Sequence, residues 1–124
     1  MSDCSSIQVT MAVDTKKYGI RIHKALFREL GEPKHIQLLV NPDEGIVAIQ
    51  TVDEERSGAQ THRIVEKRML SEHSYEIYSR PFIQKLREMD PNIEDGCAYR
   101  LVGNVISSMK TAVFPLKTLQ RMDR

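Results

Sequence analysis

One apolar triplet occurs twice at the same internal spacing. Leu26, Phe27 and Leu30 in the first half and Phe82, Ile83 and Leu86 in the second lie 56 positions apart. Residues at i, i+1 and i+4 share one side of a helix, so each triplet specifies an amphipathic helix with a buried face. The surroundings recur as well. Each triplet follows a short alternating stretch, Ile20-Arg21-Ile22 or Tyr75-Glu76-Ile77, and precedes two apolar runs joined by a hairpin-length link, at residues 41–45 and 107–110. The order strand, helix, hairpin therefore appears in two halves, about 7–52 and 60–116. Two readings are open. The halves are an internal duplication forming a pseudo-twofold sheet with one helix each, or they are alike only as any two amphipathic helices of an α+β domain are alike. Both give the same fold class: α+β, an antiparallel sheet with two principal helices, with the 124 residues forming a single domain.

Local signals fill in this order. Ile7, Val9, Met11 and Val13 alternate with more polar neighbours, as a half-buried strand does. Gly31 suits the left-handed position that ends a helix, and Pro33 prevents its resumption. Ile36, Leu38 and Val40 then face a second run at 46–49 across Asn41-Pro42-Asp43-Glu44-Gly45, where Pro42 suits a type I turn and Gly45 a positive φ. Residues 53–58 read as a polar connection, and 61–65 as a further strand or a helix. Ser79 can cap the second helix, with Pro81 tolerated in its first turn, and Asp90-Pro91 ends it. Apolar runs at 99–106 and 112–116 follow, then a short basic tail at 117–124 whose Leu116, Leu119 and Met122 offer an apolar side for docking.

Charge and composition narrow the function. Lys plus Arg number 18 against 17 for Asp plus Glu, so a histone-like basic field is excluded and only a local patch is left. Two cysteines, Cys4 and Cys97, form neither a metal spacing nor a disulfide framework. The N-terminus lacks the charged and apolar segments of a secretory signal, and the longest apolar runs are far below the roughly 20 residues that span a bilayer. A cytoplasmic protein without membrane contact is expected.

Catalytic and metal signatures are missing from the sequence. It contains no G-x-S-x-G elbow, glycine-rich phosphate loop, H-E-x-x-H helix or paired C-x-x-C. His23, His35, His62 and His73 are widely spaced and read as surface or strand-edge residues. The acids cluster in turns, at Asp43/Glu44, Asp53/Glu54/Glu55 and Glu94/Asp95, where they serve turn geometry and solubility. Cys97 has no adjacent base and reads as a small apolar residue at a strand start. No enzyme, cofactor or metal is expected.

The segment Gly19-Ile20-Arg21-Ile22-His23-Lys24, then Leu30-Gly31 and the strands at 36–40 and 46–49, resembles the strand, helix, LG, hairpin pattern of AbrB/MazE-type swapped-hairpin regulators. The resemblance covers about a quarter of the chain. It implies DNA contact by basic residues just before and within the helix, often from an intertwined dimer, and so points to Arg21, Lys24 and Arg28. His23 stands where that family has a junction proline, Pro33-Lys34-His35 replaces its glycine-aspartate turn, and the C-terminal half has no counterpart. A broader resemblance, through I-R-I, L-G-x-P, I-Q-L-L-V-N-P, Y-R-L-V-G and A-V-F-P-L, is to an uncharacterised group of proteins from Firmicutes and their phages or mobile elements. It implies a bacterial setting and no particular activity.

Phosphate contacts need cations aligned on one surface. Lys24 and Arg28 are four apart and share a helix face; Lys117 and Arg121 repeat the spacing, with Arg124 following. Glu29, Glu32 and Asp123 offset them, so a solvated surface is the competing reading. Two functions are therefore carried forward. The first is a non-catalytic regulatory module binding DNA through Arg21, Lys24 and Arg28, with Lys117 and Arg121 as further candidates. The second is a structural or interaction module of a phage or mobile element, with a protein partner or a second copy of itself.

Overall fold

The computed structural model describes residues 6–52, 61–63 and 74–122. The elements follow as β1 (Ser6–Asp14), β2 (Gly19–His23), α1 (Lys24–Glu29), β3 (His35–Asn41), β4 (Ile46–Val52), β5 (Thr61–Arg63), β6 (Ser74–Tyr78), α2 (Arg80–Met89), β7 (Ala98–Ile106), β8 (Thr111–Pro115) and β9 (Gln120–Arg121). The strands form one curled antiparallel sheet in the order β5-β3-β4-β8-β7-β1-β2-β6, with β9 also paired to β7. The fold is thus a sheet-dominated α+β arrangement with two helices among the described residues. Cys4, the 53–58 connection, Ile64, Val65, His73 and Arg124 lie outside the described residues.

Alternation decides which side of each strand is buried. Val9, Met11 and Val13 of β1, Ile20 and Ile22 of β2, Tyr75 and Ile77 of β6, and Tyr99, Leu101 and Val105 of β7 all face one core. Both helices deliver their triplets into it. Leu26, Phe27 and Leu30 enter from α1, and Phe82, Ile83 and Leu86 from α2. Phe27 meets Tyr75 edge-on at 5.3 Å between ring centroids, joining α1 to β6.

Helix ends form as the sequence demands. Gly31 takes a φ of +87°, its N–H donates to the Arg28 carbonyl, and the Glu32 N–H donates to Phe27, the two bonds of a Schellman motif. Ser79 accepts from the Phe82 N–H at α2. At α1 the junction is capped by His23, whose Nδ1 accepts from the Ala25 N–H at 3.1 Å. A ring nitrogen here performs the capping that proline cannot. Gly45 closes the β3–β4 turn at a φ of +64°.

Elements at the same place in the order of the two sequence halves meet one another. β2-α1-β3-β4 and β6-α2-β7-β8 repeat one order; β2 pairs with β6 and β4 with β8, both antiparallel. β1 likewise pairs with β7 and β5 with β3, again antiparallel. The helices consequently start from opposite ends of the short β2–β6 ribbon.

The tail departs from expectation. Lys117 lies in a 3-10 turn over Leu116–Thr118, and Arg121 lies in β9 opposite Tyr99, so their spacing does not place them on one helix face. Backbone pairing along an open edge of β7 outweighs the weak local preference for a final helix. Between β8 and β9 the ladder is bridged by a side chain, since the Thr118 hydroxyl accepts from the Val102 N–H at 3.0 Å. Leu116 is buried and Leu119 half-buried, so two of the tail's three apolar side chains pack inside the molecule and only Met122 stays exposed.

A second hydroxyl ties the β1–β2 turn to the segment before β7. Thr15, 1% exposed, accepts from the Cys97 N–H at 2.9 Å and has the Cys97 and Glu94 carbonyls within 2.9 Å as acceptors. Thr15→Val keeps the shape but strands that N–H. A loss of about 1–3 kcal/mol in urea unfolding is expected, against no change if water replaces the hydroxyl.

Candidate nucleic-acid interface

The outer face of the sheet holds the polar members of the same alternation. Register places Arg100 of β7 opposite Ala12 of β1, Ala12 opposite Arg21 of β2, and Arg21 opposite Glu76 of β6. Residues in one antiparallel row share a face, so Arg100 and Arg21 flank the small Ala12 at two strand spacings, about 9–10 Å. Both arginines are exposed. Arg100 is steadied by a 2.9 Å hydrogen bond from its guanidinium to the Gln120 side chain.

β2 hands this row directly to α1. Arg21 and His23 are exposed on alternate positions, and Lys24 opens the helix, with Arg28 exposed one turn later. Lys24 and Arg28 are therefore neighbours at about 5–6 Å between Cβ atoms. Arg21, Lys24 and Arg28 make no ion pair or hydrogen bond through their side chains with a described residue. Their charges are consequently uncompensated by direct contact. Arg28 sits in the last turn of α1, where its charge also suits the helix dipole.

The other two candidates stand apart. Arg121 is three strands away from β2, on β9, and lies 3.7 Å from Glu94 in a solvent-exposed pair. Lys117 follows β8, and its neighbour Leu116 donates its N–H to Gly45 at the β3–β4 turn. Arg21, Lys24 and Arg28 follow one another on β2 and α1, whereas Lys117 and Arg121 lie on the turn after β8 and on β9.

Two participants escaped sequence reading. Arg100 could have been placed on an outward position from the alternation within 99–106, but its neighbour across the sheet is fixed only by register. Glu76 reads as an ordinary outward acid, yet it is 5% exposed. The Tyr78 hydroxyl donates to its Oε1 at 2.7 Å. A Cβ on Gly19 would lie 3.0 Å from its Oε2, so the missing side chain at Gly19 makes the seat for this carboxylate.

Elsewhere the surface is chemically sparse. Among the described residues no trio of His, Cys, Asp or Glu converges on a metal position. An open depression beside the end of α2 is lined by Gln84, Arg87, Glu88, Pro91 and Ile93, without a nucleophile and base in contact. Cys97 is half-buried beside the core, as a small apolar residue would be. No described helix is long and apolar enough to cross a membrane. No family model, curated protein or solved structure matches the chain.

Proposed function

We propose that this chain is a non-catalytic regulatory module that binds duplex DNA through phosphate contacts from Arg21, Lys24 and Arg28, with Arg100 extending the row across Ala12. One observation carries the reading: three exposed cations with no side-chain partner among the described residues follow one another along β2 and α1, and the first of them, Arg21, shares its sheet row with a fourth, Arg100. Lys and Arg left without acids in a compact protein are available to displace condensed counterions from a nucleic acid.

The pairing of β2 with β6 and of β4 with β8 supports the duplication reading of the two halves. In that reading the resemblance to swapped-hairpin regulators extends to the whole chain, the second half supplying what a partner chain supplies in an intertwined dimer. A bacterial, phage or mobile-element setting belongs to the same proposal.

Salt is the test. Binding to a labelled generic duplex, followed by fluorescence anisotropy, is expected to weaken with salt at a slope in log–log form of roughly −3 to −4, about 0.9 per phosphate contact. Absence of association at low salt would remove DNA as the partner.

A second reading, an interaction module, has its own observation. Ile7, Ile106 and Met109 are 40%, 39% and 58% exposed at the end of the sheet where β1 begins and β7 turns into β8. Concentration-dependent self-association in light scattering would favour it, and loss of that association in Met109→Lys would locate it.

A further inference from the structure

Every aromatic ring of the chain is buried or half-buried except one. Tyr78, the last residue of β6, is 52% exposed. A ring at an open position ordinarily samples several rotamers. This one is tethered at its far end, because its hydroxyl donates to Glu76 Oε1 at 2.7 Å. Glu76 lies two residues back on the same face of β6, about 6–7 Å along the strand, so the ring lies along the strand instead of standing off it. Glu76 is itself buried, which keeps the tether from swinging into solvent. Directly opposite Tyr78 on β2 is Gly19, which has no side chain to cover the ring; a Cβ there would already be 3.7 Å from Tyr78 Cε1.

Cations border this ring. On the outer face of the β2–β6 ladder Arg21 is the diagonal neighbour of Tyr78, at about 7–8 Å. Arg80 follows two residues after Tyr78, and its guanidinium lies 4.5 Å from the centre of the ring of Tyr18, the residue before Gly19. Both arginines are exposed. A held aromatic surface beside two guanidinium groups complements what an unpaired nucleotide presents, a flat base and an anionic phosphate. A base inside a duplex is covered on both faces by its neighbours and has no surface left for the ring.

We propose that Tyr78 is a stacking platform for an unpaired base beside the β2–α1 cations, and that the neighbouring Arg21 and Arg80 take the phosphates of that nucleotide. A duplex ending in a single-stranded extension is then held more tightly than a fully paired one. This rests on the DNA reading above and names the form of DNA that the site prefers. Stacking tolerates any base, since each has a π face, so the preference is for an unpaired strand and not for a sequence.

The experiment uses the full chain, a labelled blunt duplex of about 20 base pairs and the same duplex carrying about four unpaired thymidines, compared by anisotropy at low salt. The extension is expected to tighten binding about tenfold, within what one stacked base supplies. Tyr78→Leu keeps apolar bulk and removes the ring; its extended-to-blunt affinity ratio is expected to fall to about one. Tyr78→Phe keeps the ring, and its ratio is expected to stay at about threefold or more. Circular dichroism reports whether each variant folds. An iodouracil placed in the extension and photoactivated on the unmodified protein should crosslink to Tyr78, a readout that stands if neither variant folds. Equal affinity for the two DNAs, a ratio kept in Tyr78→Leu or lost as fully in Tyr78→Phe, or a crosslink that maps away from Tyr78 overturns the platform and leaves the DNA reading standing. Binding of the extended DNA alone would overturn the duplex reading and keep the platform. If neither DNA is bound at low salt, both fall together.

Discussion

Gly103→Ala is expected to destabilise the protein by about 3 kcal/mol or more, at the upper end of what overpacking by one carbon produces. A Cβ at Gly103 would lie 2.1 Å from the Val113 carbonyl oxygen and 2.7 Å from Cδ2 of Phe114. Val113 presents backbone, which cannot swing aside as the end of a long side chain can. Relief therefore requires β8 to move away from β7, against the pairs Asn104 with Val113, Val105 with Ala112 and Ile106 with Thr111. β8 is also the link between β4 and β7, so the displacement propagates into both halves of the sheet. With typical domains stable by only about 5–15 kcal/mol, the urea midpoint should fall by a large fraction of its value. Gly31→Ala is the control. Nothing lies within 4 Å of a Cβ there, but φ is +87°, so only the left-handed backbone cost of about 1–2 kcal/mol applies. A Gly103→Ala midpoint equal to that of the unmodified protein would show that β7 and β8 are not in close contact in solution.

That glycine also marks where sequence reading stops. Positions whose role is local were legible: Gly31 and Gly45 through the turns they close, Ser79 through its cap, and the two triplets through helical spacing. Alternation identified Val9, Met11 and Val13 of β1, Ile20 and Ile22 of β2 and Tyr75 and Ile77 of β6, because period two is imposed by the pleat of each strand by itself, while Ile7 of the same alternation is exposed at the strand's end. Gly103, Glu76 and Arg100 depend on which residue of the adjoining strand lies alongside, Val113 for Gly103, Gly19 and Arg21 for Glu76 and Ala12 for Arg100, and that register leaves no mark in a local pattern. The same reason explains the tail. A spacing of four predicts a shared helix face for Lys117 and Arg121, but β9 pairs with β7, and pairing sets the geometry instead. The candidate site was thus half legible. Arg21, Lys24 and Arg28 are close in sequence and lie on consecutive elements, whereas Arg100, which shares a row with Arg21, and Glu76, which faces it, arrive from the second half. Near-neutral net charge says little about such a surface, because Glu94 and Asp95 are drawn into exposed pairs with Arg121 and Arg87 while the β2–α1 cations pair with no acid among the described residues.

Replacing Arg21, Lys24 and Arg28 together with alanine is expected to lower affinity for duplex DNA about 100-fold or more at low salt and to flatten the salt dependence by roughly 2.7, three contacts at 0.9 each. Stability should change little, since all three side chains are exposed and without side-chain partners among the described residues, and alanine favours the two helical positions. A lost affinity therefore cannot be ascribed to unfolding when the urea midpoint is kept. The companion variant, Lys117→Ala with Arg121→Ala, removes charge of the same sign from the β8–β9 side. It gives up one exposed ion pair, worth at most about 1 kcal/mol, and should leave the salt slope as it is. The two variants differ by a single charge, so a nonspecific attraction to the protein's overall charge would weaken binding by similar factors in both. Only an interface localised on β2 and α1 separates them. Equal flattening by both variants would assign the attraction to the general field, and flattening by the tail variant alone would move the interface to the β9 side of the sheet.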